Sequence, residues 1–138
     1  MHEAALERHR RATGFVLVER VGPYTLDRMI AAAAWMAAAD GFAAPEEKRA
    51  LMAFIRQRGL MKVLGRQATL DRFDRAAAAP APVLAWLRPL AGTAAARLIE
   101  TAALHVARAD GAIVPAEHVL LRRLRAALGM PVPAMEPA

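Results

Sequence analysis

A chain of 138 residues with a formal charge of +6 is the length of one domain with a single core. It contains no cysteine, which excludes disulfides and thiolate metal sites and suits a reducing, cytoplasmic setting. No run of 18 apolar residues is present to span a bilayer, residues 29–39 being too short, and the charged start around Glu3, Glu7, Arg8, Arg10 and Arg11 does not fit a signal peptide.

Residues 2–12 read as a polar first helix broken at Thr13-Gly14. A short apolar connector over 15–23 follows; its residues 15–18 are the one extended-looking stretch, and one strand does not make a sheet. Thr25 is the expected cap of a helix running to about Asp40, with Gly41 as the stop. Pro45 opens the next helix at its first position and Gly59 closes it. After a short apolar segment at 60–64, Thr69 is the expected cap of a helix reaching the alanines before Pro80 and Pro82. Residues 83–90 form a short helix ending near Pro89, and Thr93 caps a long helix to Asp110. Pro115 opens the last helix and Gly129 ends it; the proline-bearing tail from Met130 reads as flexible.

The fold class expected is therefore all-α: a compact bundle of about six to seven helices. Its parts are an N-terminal helix and connector at 1–24, a helical domain at 25–129 and a flexible tail at 130–138. With 35 alanines, close but thin helix contacts are expected, anchored by larger side chains such as Trp35 and Trp86.

An internal repeat organises this bundle. Shifted by 70 residues, positions 28–59 overlay 98–129 with ten identities. These include Ala39/Ala109, Asp40/Asp110, Gly41/Gly111, Pro45/Pro115, Glu47/Glu117, Leu51/Leu121 and Gly59/Gly129. Two helix–loop–helix units of this kind suggest a pseudo-twofold arrangement in which each covers the other's apolar face; two copies are too few for a solenoid.

The repeated acids are the candidate site. Residues three, four, seven or eleven apart share a helix face. By that spacing Asp40 follows Met36, Ala33 and Met29, and Asp110 follows Val106, Ala103 and Ile99. Glu47 precedes Leu51 and Phe54; Glu117 precedes Leu121, Leu124 and Leu128. All four carboxylates thus line up with the apolar stripe, where a charge needs hydrogen bonds, a basic partner or a cation. Glu47 and Glu117 are third in their helices, counting each proline as first, so each can reach back to the backbone N–H of the residue before the helix, Ala44 or Val114. Asp40 and Asp110 can accept from loop N–H groups. If the two loops meet, all four can instead share one divalent ion, and oxygen-only ligands favour Ca²⁺, Mg²⁺ or Mn²⁺. Both readings stay open. The spacing is not that of an EF-hand loop.

The segments AAADGFAAPEEKRALMAFIRQRG (37–59) and VARADGAIVPAEHVLLRRLRAALGM (106–130) resemble the two signature segments of the tellurite-resistance TerB family. The resemblance covers roughly residues 25–129. It implies an all-helical bacterial protein of the tellurite-resistance and chemical-stress type, with divalent metal at the acidic positions, here Asp40, Glu47, Asp110 and Glu117.

Other chemistry is thin. Serine is absent, no nucleophile–base pair stands out, and no phosphate-cradling glycine loop occurs. His105 and His118 lie off the acidic face. The basic residues concentrate: 48–75 hold eight Lys and Arg against Asp71 and Asp74, and the rest of the chain is balanced. A solvated helical surface explains that run; a nucleic-acid interface is the alternative, without aromatic interleaving or a reading helix. The function expected is a non-catalytic, stress-response interaction module. Its partner is a protein of unknown identity, a homodimer among the open states.

Overall fold

The computed structural model describes residues 21–38, 44–109, 111 and 115–131. Among these residues the chain forms seven α-helices and a 3₁₀ turn, with no strand. They are α1 (Pro23–Ala37), α2 (Pro45–Gln57), α3 (Met61–Leu64), α4 (Arg66–Ala78), α5 (Val83–Leu87), the 3₁₀ turn Arg88–Leu90, α6 (Ala94–Ala107) and α7 (Pro115–Ala127). The fold is all-α, as its sequence indicates. The helix read over 2–12, most of the connector and tail residues 132–138 lie outside the described residues.

Helix α1 is the centre of the bundle. Leu26, Met29, Ile30 and every residue from 31 to 37 are buried, so the helix is apolar on all sides and needs neighbours on all sides. It packs most extensively on α6, and also on α4, α5, α2 and α7. Three of the repeat's alanine identities, 32/102, 33/103 and 37/107, are buried on α1 and α6. Small side chains let these two backbones approach, while Met29, Met36, Ile99, Leu51 and Leu124 supply the bulk. Each such aliphatic side chain contributes about 1.5–3 kcal/mol when fully buried.

Both repeat units close in the same way. Gly59 (φ 71°) and Gly129 (φ 68°) take left-handed backbone. Leu60 N–H donates to Ile55 O at 3.0 Å and Gly59 N–H to Arg56 O at 3.0 Å; Met130 N–H donates to Arg125 O at 2.9 Å and Gly129 N–H to Ala126 O at 3.1 Å. This is the Schellman arrangement, and it explains why glycine recurs at both positions.

Three caps differ from the sequence expectation. Thr25 is inside α1, which starts at Pro23 with Gly22 as the flanking residue and no side-chain cap; the ring's fixed φ starts the helix, so no hydroxyl is needed. Thr69 is buried inside α4, whose flanking residue is Gly65 at φ 87°, and its hydroxyl donates back to Gly65 O at 2.8 Å. Thr93 does flank α6, but its hydroxyl donates to Leu90 O at 2.6 Å rather than accepting from the helix. The first helices of both units also stop early, at Ala37 and Ala107.

Trp35 is a core residue at 8% exposure, whereas Trp86 is 40% exposed. Helix α5 has one buried edge, made by Val83 and Leu87 four residues apart. That leaves Trp86 at the surface, with the Arg28 guanidinium 5.3 Å from its ring centre.

Candidate acidic junction of the two helical units

Each unit packs its first helix on the second helix of the other. In the first, Trp35 of α1 lies against Arg123 of α7, with the guanidinium 5.6 Å from the ring centre. In the second, His105 of α6 lies against Phe54 of α2, ring centres 5.6 Å apart. Under the 70-residue shift Trp35 corresponds to His105, and Phe54 to Leu124, the neighbour of Arg123. The first helix of each unit therefore reaches the second helix of the other, at positions one residue apart in the repeat. α1 packs on α7 and α6 packs on α2, the second pairing being the more extensive. His105, exposed and with its ring tilted 44° to that of Phe54, is a contact residue of this junction.

Glu47 opens α2 on its inner side. It is only 7% exposed, ahead of the buried Leu51 and Phe54 on the same face. Its Oε1 accepts a hydrogen bond from Ala44 N–H at 2.9 Å, so it caps the helix end that Ala44 has no side chain to cap. A carboxylate also suits the positive end of a helix. Glu117 holds the matching place in α7, half-buried, with Leu121 and Leu124 buried along the same stripe.

Asp40 and Asp110 lie outside the described residues. The helical spacing that aligned the two aspartates with the apolar stripe ends at Ala37 and Ala107. Beyond α6, Ala109 N–H donates to Val106 O and Gly111 N–H to Arg108 O, both at 3.0 Å, and Gly111 turns the chain at φ 119°. Among the described residues no three His, Cys, Asp or Glu side chains cluster as metal ligands would.

The basic run at 48–75 is partly neutralised across elements. Lys48 bonds Asp74 at 2.6 Å, Arg72 bonds Asp27 at 2.8 Å, and Arg58 lies 4.5 Å over the Phe54 ring. Arg56, Lys62 and Arg66 are exposed on separate elements, an arrangement suited to a solvated surface.

One constellation escapes sequence reasoning. Asp27, Arg28, Arg72, Arg75 and Trp86 come from α1, α4 and α5 and line one cleft. The available signal was weak: an Asp-Arg pair at the head of an otherwise apolar helix.

A family model described as tellurite resistance protein TerB matches residues 26–137. The chain belongs to the TerB family. The match takes in both Asp-Gly units and all four acidic positions. The comparisons with curated proteins and with solved structures each return no match. This TerB-family chain has, among its described residues, no helix long and apolar enough to cross a membrane.

Proposed function

We propose that this TerB-family chain is a non-catalytic, cytoplasmic stress-response module that works by binding another protein. In this reading its two helical units are tied at an acidic junction formed by Asp40, Glu47, Asp110 and Glu117. The observation that carries it is the placement of Glu47: a carboxylate buried at the start of α2, with the corresponding Glu117 at the start of α7. Oxygen donors of this kind suit one Ca²⁺, Mg²⁺ or Mn²⁺ ion, and the ion would offset the mutual repulsion of four acids drawn together. Its chemistry would be structural, holding the two Asp-Gly turns in one arrangement and so fixing the surface shown to a partner. The Glu47–Ala44 hydrogen bond favours a second reading, in which the acids are helix and turn caps and no ion is required.

Calorimetric titration with Ca²⁺, Mg²⁺, Mn²⁺ and Zn²⁺ separates the two, using wild type and the double variant Asp40→Asn/Asp110→Asn. The cation reading expects saturable heat and a raised melting temperature in the wild type, both lost in the variant. No heat and no stabilisation in the wild type leaves the capping reading. Nucleic-acid binding through 48–75 would instead show as affinity for DNA or RNA that falls steeply with salt.

A further inference from the structure

We propose that the cleft between α1, α4 and α5 is a binding site for a small ligand that joins an oxyanion to a flat ring. The cleft encloses about 590 Å³, within the range of small-molecule sites. Three guanidinium groups line it, Arg28, Arg72 and Arg75, against the single carboxylate of Asp27. Asp27 bridges two of them, at 2.6 Å to Arg28 and 2.8 Å to Arg72. Arg75 is exposed on the last turn of α4 and completes the set.

The charge is held in a prepared geometry. Arg28 carries aromatic rings close to its guanidinium, with Tyr24 at 4.6 Å and Trp86 at 5.3 Å from their centres. Its Nε is buried with no acceptor among the described residues, so the bonds Arg28 offers a ligand come from its terminal nitrogens. A planar guanidinium restrained in this way is matched to the paired oxygens of a phosphate or carboxylate. An arriving oxyanion takes over bonds that Asp27 now accepts, and the net positive lining offsets its charge.

The ring half of the ligand follows from the remaining walls. Trp86 is 40% exposed at the edge of the cleft. Ala31, Ala76, Ala79 and Pro82 are short and apolar, so a flat group in the cleft can pack against them and the exposed part of the indole. A phosphate monoester and a carboxylate both meet the requirement, so the probes distinguish them.

The test titrates the full chain with 5′-AMP, adenosine, inorganic phosphate and indole-3-acetate, by calorimetry. The expected result is saturable binding of 5′-AMP or indole-3-acetate, the tighter of the two identifying the oxyanion. Adenosine and inorganic phosphate, each carrying half of the ligand, bind at least about tenfold more weakly. Arg75→Ala and Trp86→Ala each weaken binding by about tenfold or more, with circular dichroism unchanged, and Arg56→Ala leaves it as in the wild type. Absence of saturable binding by both complete probes overturns the proposal. So does binding that Arg75→Ala and Trp86→Ala leave unaltered. The outcome is independent of cation binding at the Asp-Gly units.

Discussion

Gly59 and Gly129 occupy the same place in the two repeats, and replacing each by alanine should cost different amounts. Both sit at nearly the same positive φ, 71° and 68°. The left-handed strain of about 1–2 kcal/mol is therefore common to the two variants, and so is the smaller gain from a stiffer unfolded chain. Their surroundings differ. A Cβ on Gly59 meets nothing within 4 Å, whereas on Gly129 it meets Ala91 Cβ at 3.0 Å and Gly92 N at 3.3 Å. That neighbour is not free to swing away, because Gly92 N–H donates to Leu128 O at 3.3 Å. Crowding of this kind costs about 1–3 kcal/mol. Gly129→Ala should thus be less stable than Gly59→Ala by about that amount. With a urea slope of about 2 kcal/mol per molar, this lowers the midpoint by about 0.5–1.5 M relative to Gly59→Ala. Equal midpoints, or a larger loss in Gly59→Ala, would refute the claim that the 91–93 turn packs against the end of α7.

Further tests bear on the cap, the helix contact and the tryptophans. Glu47→Ala should lose about 1–2 kcal/mol in urea unfolding, because Ala44 N–H loses its acceptor; Glu47→Gln keeps an acceptor and should lose less. Ala103→Leu puts a larger side chain where α6 meets α1, and should lower stability by about 1–3 kcal/mol through overpacking. In thermal melts Trp35→Ala should be severe, about 3–5 kcal/mol, whereas Trp86→Ala should cost about 1 kcal/mol or less, since its side chain is 40% exposed and lies against the Arg28 guanidinium.

Much of this architecture is legible in the residue order, because it depends on local rules. Pro45 and Pro115 begin helices where a missing N–H costs nothing, and Gly59 and Gly129 end them where only glycine is at ease. The spacing of Glu47 to Leu51 and Phe54 predicts a carboxylate on the buried face of α2, and Glu47 is there, holding the expected backbone N–H. Threonine was the poorer guide: Thr25, Thr69 and Thr93 each stand near a helix start, yet a proline or a glycine set the boundary or the hydroxyl turned to another carbonyl. Hydroxyl caps compete with such alternatives one hydrogen bond at a time, so residue type alone does not decide them.

The sequence by itself determined an all-α chain of two related helical units with paired acids at matching helix starts, because periodicity, proline and glycine act over a few residues. Only the tertiary structure decided which surfaces meet. It put the alanines of α1 against α6, crossed Trp35 to Arg123 and His105 to Phe54, left Trp86 outside, and brought Asp27, Arg28, Arg72 and Arg75 to one cleft. Those contacts join residues up to 88 positions apart. They follow from how helices of a given width stack, which no local pattern encodes.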